Sequence, residues 1–332
     1  MNELFVNKSV FNSYDADKLE QYKIDLFNHY RLHGFPYFNL TESELDKEFN
    51  KLKNCKSESL LNGTIVKQIM LGLNVVNYFM PHMFHVRSHN FQSPYDAFIS
   101  DDMLKKAITK RLLYGDNMSD AGMRKVLSWV SGTQKVSNFR PTVAKLIYDM
   151  FSGDGSVLDY SSGFGGRLLG AMSSDKIKSY TGFDPNTTTY KALCNIRDTI
   201  KHDKEIVLYN EPFEDSDLIN NSFDLSFSSP PYYNTEEYCY EDTQSFIRYT
   251  TKDVWRDNFL KVLIQKNYNC IKPNGYFIIN IANVKTYKDL EKDTVDIAKS
   301  IGFEYIETYQ MALSSLMKSG FKYEPIFIFR KP

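Results

Sequence analysis

Ser156-Val-Leu-Asp-Tyr-Ser-Ser-Gly-Phe-Gly-Gly166 decides how the rest of the chain is read. Val157 and Leu158 form a short apolar run that ends on Asp159, a glycine-containing turn follows, and Gly166 to Ser173 carries helical spacing. That order describes a buried strand feeding a helix through a tight turn. In an open α/β sheet such a turn lies at the carboxyl end of the strand, where ligands bind. Gly163 and Gly165 let the backbone approach a ligand closely. The spacing is not the dinucleotide fingerprint G-x-G-x-x-G. A second acidic residue, Asp184, closes the next strand candidate, Tyr180-Thr-Gly-Phe-Asp184. A carboxylate there can accept hydrogen bonds from both hydroxyls of a ribose, so the two strand ends together favour a nucleoside ligand over a plain βα turn.

Working outward, Val157 to Asp159, Tyr180 to Asp184, Ile206 to Tyr209, Phe223 to Ser228 and Tyr276 to Ala282 read as strands. Gly166 to Ser173, Thr188 to Lys201 and Lys252 to Cys270 read as the helices between them. The alternation predicts an α/β fold with a doubly wound, mostly parallel sheet and right-handed crossovers. Phe303 to Tyr309 and Tyr323 to Arg330 break the pattern and predict an antiparallel edge hairpin. Upstream, Ala16 to Arg31, Glu42 to Lys53, Thr64 to Tyr78, Asp101 to Leu113 and Ser119 to Val130 carry helical spacing, with no run of alternating β-branched residues. Ser131-Gly-Thr-Gln134 reads as a hinge, so residues 1–135 are expected to be a helical region and 136–332 the sheet-bearing domain.

A formal charge of -1 over 332 residues gives no global field toward a polyanion, so any such surface must be local. Four scattered cysteines argue against a zinc ribbon or a disulfide framework and fit a reducing, cytoplasmic setting. No run approaches the roughly 20 apolar residues that span a bilayer, and the start lacks a basic segment followed by an apolar one. No membrane association is expected, and the sequence does not indicate an oligomeric state.

The most distinctive chemistry lies in Asp224-Leu-Ser-Phe-Ser-Ser-Pro-Pro-Tyr-Tyr233, which runs a strand directly into Ser229-Pro230-Pro231-Tyr232. Two successive prolines cannot continue a central strand, and they stiffen the backbone where it reaches the ligand face. The amino nitrogen of adenine or cytosine is a poor nucleophile because its lone pair is delocalised into the ring. Acceptors aimed at its two hydrogens make it more tetrahedral, and the Ser229 hydroxyl and the Pro230 carbonyl can supply them while Tyr232 stacks on the base. A sulfonium methyl donor such as S-adenosylmethionine then completes an in-line transfer, accelerated by proximity and preorganised electrostatics.

Phe139-Arg140-Pro141, the glycine loop from Asp159 to Gly165, Asp184, the Ser229 to Tyr232 tetrapeptide and the ending Glu324-Pro-Ile-Phe-Ile-Phe-Arg-Lys331 resemble the ordered motifs of the DNA amino-methyltransferases that modify adenine N6 or cytosine N4. The resemblance spans about residues 137 to 331. It implies a Rossmann-like seven-stranded sheet with its last pair antiparallel, and S-adenosyl-L-methionine as cofactor with S-adenosyl-L-homocysteine as product. It implies that Phe139, Arg140, Pro141, Asp159, Ser161, Gly163 and Gly165 hold the cofactor, that Asp184 holds its ribose, and that the tetrapeptide acts on the base. It also implies DNA methylation of the restriction-modification or phage type. Asn210, Glu211 and Phe213 follow the third strand, where an adenine would lie. Tyr160 replaces the proline common in the family, and about 60 residues between the loop and the tetrapeptide leave no room for an inserted recognition domain. Ser229 favours cytosine slightly, and the target base stays open.

Target recognition then falls to the N-terminal region or to the loop after the tetrapeptide. Lys105, Lys106, Lys110 and Arg111, with Arg124 and Lys125, suit phosphate contacts on DNA, or on RNA as the alternative, although a solvated helix face reads equally well. Tyr233 and the aromatic loop Tyr232 to Tyr240 suit packing around a flipped base, or a lid over the cofactor. His82, His85 and His89 fall near one helix face, but Pro81 and the lack of accompanying cysteines argue against a metal, and none is expected. The competing functions are an RNA or protein-amide methyltransferase, and a catalytically silent binding protein of the same fold.

Overall fold

The computed structural model describes residues 4–88, 90–217, 220–316 and 320–332. They form two compact units, one of residues 4–39 and 81–137, the other of residues 40–80 and 138–332. Residues 131–134, expected as a hinge, lie within the first unit, whose second segment ends at Ser137. Residues 40–80, expected within the helical region, belong instead to the sheet-bearing unit.

The smaller unit is helical. Its main helices are Ala16–His33, Pro94–Ile99, Asp101–Tyr114 and Asp120–Leu127. Each opens on a side-chain cap that satisfies a free backbone N–H: Asp15, Ser93, Ser100 and Ser119 respectively. Leu26, Tyr30, Phe84, Leu104, Ile108, Met123 and Leu127 fill its core.

Among the described residues, the larger unit is built on a sheet of nine strands. They are β1 (Leu61–Asn62), β2 (Ile65–Val66), β3 (Ser156–Asp159), β4 (Ser179–Phe183), β5 (Glu205–Tyr209), β6 (Phe223–Ser228), β7 (Ile271–Asn280), β8 (Glu304–Leu316) and β9 (Gly320–Arg330). Their order across the sheet is β1-β2-β8-β9-β7-β6-β3-β4-β5. From β7 to β5 every neighbouring pair is parallel. The hairpin of β8 and β9 is antiparallel, and β9 adds antiparallel to β7. The seven strands expected from the sequence are therefore present in an α/β, mostly parallel sheet. The short β1-β2 ribbon pairs with β8 through Gln310 and Met311; of the helix expected from Thr64 to Tyr78, Ile65–Val66 is strand and Leu73–Phe79 is helix. The last two strands thus carry a further ribbon on their outer side.

This topology decides where chemistry can occur. The chain leaves β3 toward β4 and β5, then crosses back to lay β6 on the other side of β3, which makes the β3/β6 crevice a topological switch point. Asp159 ends β3, Asp184 follows β4, Ser229 follows β6 and Asn280 ends β7, all at the carboxyl ends. Because β9 runs antiparallel, it delivers residues near its beginning to that same end. Ile326 pairs with Asn280, so Glu324 lies just beyond the last residue of β7.

Candidate active site

A cleft opens at the carboxyl end of the sheet, with about 550 Å³ of space between its walls when the part open to solvent is counted. Its walls come from the loop after β3 (Tyr160, Ser161, Gly163, Phe164), the turn after β4 (Asp184, Pro185, Asn186), the turn after β5 (Phe213, Glu214), Pro231, and the segment Tyr238 to Ser245. Of the residues expected to hold a cofactor, Ser161, Gly163, Asp184 and Phe213 line it directly.

Gly163 and Gly165 both adopt left-handed backbone, at φ of 54° and 77°. The next residue, Gly166, is required for a different reason: a Cβ there would lie 2.0 Å from the Phe139 carbonyl oxygen. Phe139, Arg140 and Pro141 accordingly back the loop and do not line the cleft. Asn138 Nδ2 donates to the Phe164 carbonyl at 2.9 Å, Arg140 Nε donates to Gln68 Oε1 at 2.7 Å, and Pro141 starts the helix Pro141–Phe151.

Asp159 is fully buried, and its carboxylate is taken up by the fold. Arg167 Nε donates to it at 2.9 Å, the Tyr180 hydroxyl at 2.7 Å and the Ser228 hydroxyl at 2.7 Å. Burial alone would lower the Arg167 pKa, but Asp159 holds the guanidinium more firmly charged than usual. This ion pair ties β3 to the helix Gly166–Ser173, and Asp159 reaches the cleft only through the backbone that it fixes.

Asp184 joins the two halves of the cleft. Its carboxylate accepts from Gly163 N–H at 2.8 Å and from Asn186 N–H at 3.0 Å. Burial pushes its pKa up to about 7, against the lowering effect of those two amides. Asn210 is exposed, and its Nδ2 donates to the Asp184 carbonyl at 3.1 Å. Glu211 lies on the surface, and the carboxylate of that turn on the cleft wall is Glu214, which Arg248 and Tyr249 both contact.

The segment after the tetrapeptide folds over the cleft. The Glu241 carboxylate accepts from Thr187 N–H at 3.2 Å, at the start of the helix Thr187–Thr199, and the Thr243 hydroxyl contacts the Pro185 carbonyl at 3.4 Å. Gln244, next along, is a buried residue of the cleft wall, and among the described residues its Nε2 has no hydrogen-bond partner. A buried amide without a partner costs about 1–3 kcal/mol. Nothing in the sequence around Gln244 singles it out.

Within the tetrapeptide, Pro230 is buried and Pro231 reaches the cleft. Ser229 Oγ lies 3.2 Å from the Tyr232 hydroxyl, which in turn lies 3.1 Å from Asn280 Oδ1 and 3.2 Å from the Asn280 carbonyl. Asn280 Nδ2 donates to the Pro325 carbonyl at 2.9 Å, which places Glu324, the next residue back along β9, beside this group. Asn280 and Glu324 could have been found as polar residues at the ends of apolar strands, the signal that singled out Asp159 and Asp184.

Two side chains expected to contact nucleic acid, Tyr233 and Arg111, are buried. Tyr233 adopts φ 58° immediately after the tetrapeptide, and the reversal sends its ring into the core, edge-on to Trp255 at 5.9 Å and Tyr287 at 6.1 Å. Arg111 is buried in the helical unit, hydrogen-bonded to the Asn117 carbonyl and packed where Gly122 leaves room for its guanidinium. Lys105 and Lys106 are exposed on that helix, and Lys110 is half-buried over the Trp129 ring at 5.2 Å. Arg124 turns inward to the Pro36 carbonyl at 2.7 Å. His85 contacts the Tyr37 hydroxyl at 2.6 Å and stacks on Tyr95, His82 has its pKa lowered to about 4 by burial, and His89 lies outside the described residues. Among the described residues no group of three or more His, Cys, Asp or Glu could hold a metal ion, and no helix is long and apolar enough to cross a membrane.

No family model and no curated protein matches the chain. Solved structures similar to it include the [4+2]-cyclase SpnF, at 12% sequence identity and a TM-score of 0.41 over 58% of this chain and 81% of that one. A methyltransferase from Pyrococcus furiosus aligns at 15% identity and 0.40 over 57% and 82%. Magnesium protoporphyrin IX methyltransferase from Synechocystis, with bound S-adenosylmethionine, aligns at 13% and 0.40 over 58% and 79%. Likenesses this remote leave the functional reading to the chain's own geometry.

Proposed function

We propose that this chain transfers a methyl group from S-adenosylmethionine to the exocyclic amino group of a nucleic-acid base, adenine N6 or cytosine N4, with DNA as the substrate. The observation that carries the reading is the position of Ser229 and Pro230: two acceptors on proline-stiffened backbone at the carboxyl end of β6, directly before Pro231, which lines the cleft. Among the described residues no backbone N–H donates to the Pro230 carbonyl. The Ser229 hydroxyl can give its own hydrogen to Tyr232 and keep its lone pairs for an amino hydrogen. An RNA base presents the same amino groups, so the polymer is decided by which of labelled DNA, RNA or protein acquires the methyl group.

The lining supports a cofactor reading of the cleft: Asp184 can accept from ribose hydroxyls, Phe213 and Pro185 offer apolar surface to an adenine, and the left-handed glycines remove side chains from the near wall. When bound, S-adenosylmethionine supplies an electrophilic methyl group on a positively charged sulfur. The ionised form of Asp184 is the better acceptor for ribose and the better neighbour for that charge. Cofactor affinity is therefore expected to rise with pH and level off above about 7, losing about tenfold per pH unit below it. Calorimetry across that range checks this, and Asp184→Asn should bind weakly with no such pH dependence.

Lys105, Lys106 and Lys110 remain the proposed phosphate contacts. Replacing all three by glutamine should weaken DNA binding and lower the slope of log affinity against log salt by about 3, at roughly 0.9 for each phosphate left without its cation. An unchanged slope would return the helix to a solvated face.

A further inference from the structure

A serine hydroxyl carries one hydrogen and two lone pairs, and when it turns freely it can accept from an amino group or donate to a carbonyl. A freely turning Ser229 would therefore separate neither adenine from hypoxanthine nor cytosine from uracil. The hydrogen bonds behind Ser229 remove that freedom. Asn280, buried at the end of β7, donates through Nδ2 to the Pro325 carbonyl at 2.9 Å. A carbonyl can only accept, so this bond settles which way the Asn280 amide points and leaves its Oδ1 to Tyr232. The Tyr232 hydroxyl donates to that Oδ1 at 3.1 Å and to the Asn280 backbone carbonyl at 3.2 Å. Its one hydrogen is thereby spent, and toward Ser229 Oγ, 3.2 Å away, the Tyr232 oxygen has only lone pairs to offer. Ser229 then donates to Tyr232 and keeps lone pairs alone for its other neighbours.

We infer that Asn280 and the Tyr232 hydroxyl fix the hydrogen-bond polarity of Ser229, making it an acceptor only, and that this selects an amino-bearing base over its keto counterpart. The inference rests on the amino-methyltransferase reading above. The Pro230 carbonyl is an acceptor in any case, so with Ser229 fixed both groups of the tetrapeptide meet the target with lone pairs. An amino group has two hydrogens and satisfies both. The O6 of hypoxanthine or guanine, and the O4 of uracil or thymine, bring lone pairs against lone pairs and leave every group without a hydrogen. A site built on hydrogen bonds rejects a mismatched analogue more strongly than an apolar pocket can, because its own polar groups are then left unpaired. The device depends on tertiary structure: Ile326 pairs with Asn280 across β9 and β7, so the returning strand supplies the Pro325 carbonyl that orients the amide. Asn280 acts through Tyr232 and is a positioning residue.

The test uses a duplex that the wild type methylates and a second duplex that differs only at the methylated base, with hypoxanthine in place of adenine or uracil in place of cytosine. The ratio of their two dissociation constants measures selection of amino over keto. The altered base pairing affects wild type and variants alike, so the change in the ratio is what counts. Tyr232→Phe keeps the ring and frees Ser229 to donate, and the ratio should fall about tenfold, the scale of one neutral hydrogen bond. Asn280→Leu removes one of the two acceptors and leaves the backbone carbonyl, so the ratio should fall by less. In a Ser229→Ala background Tyr232→Phe should change the ratio no further, because the hydroxyl acts through Ser229. A merely structural role would weaken both duplexes equally. An unchanged ratio in Tyr232→Phe, or the same tenfold fall when Ser229 is already alanine, would overturn the inference. A wild-type protein that methylates no base would overturn the proposed function itself, and the inference with it.

Discussion

Ser229→Ala is expected to lower methyl transfer about 100-fold while cofactor affinity stays close to wild type. One preorganised electrostatic contact of this kind typically accounts for roughly 100- to 1,000-fold in turnover, about 2.7–4 kcal/mol of barrier. The proline-fixed backbone survives the substitution, because Pro230 and Pro231 set it, so the Pro230 carbonyl remains as the second acceptor. Tyr232→Ala should differ by adding a substrate-binding defect of about 1–3 kcal/mol if its ring also supports a base. Single-turnover kinetics at saturating cofactor, with a fluorescent base analogue at the target position, separates the two effects. Wild-type turnover in Ser229→Ala would remove the tetrapeptide from the chemistry.

Arg167→Ala is expected to produce the largest loss of stability, about 3–5 kcal/mol, because it leaves Asp159 charged and unpaired in a fully buried position. The Tyr180 and Ser228 hydroxyls still donate to that carboxylate, but neither supplies positive charge. Asp159→Asn with Arg167→Met should recover much of the loss, since removing both charges abolishes the imbalance. Urea unfolding followed by circular dichroism checks both variants. A loss below about 1 kcal/mol, the scale of an exposed ion pair, would mean that water reaches the pair.

How far the sequence led depended on the physical signal available at each place. The central strands were legible because Val157 to Asp159 and Phe223 to Ser228 are buried on both faces, which leaves compact apolar runs bounded by polar strand ends. The ribbon of β1 and β2 was not, because two-residue strands have no periodicity and owe their pairing to β8, some 240 residues away. Charge patterns misled in both directions. Arg111 reads as part of a solvated basic run, yet the space beside Gly122 lets it fold inward, and Asp159 reads as a ligand contact, yet it spends its acceptors on Arg167, Tyr180 and Ser228. Tyr233 reads as a partner for a base because it follows Tyr232, but a left-handed backbone separates the directions of the two rings. Glu324 and Asn280 meet only because an antiparallel strand returns to the carboxyl end of a parallel one, a relation that no local pattern records.

The central claim is most directly tested by incubating the protein with methyl-labelled S-adenosylmethionine and duplex DNA, digesting the DNA to nucleosides and identifying the labelled one by mass. The expected product is N6-methyladenosine or N4-methylcytidine in the deoxy series, formed by the wild type and reduced about 100-fold by Ser229→Ala. Label on a ring carbon, on RNA or protein alone, or on no polymer at all would contradict it.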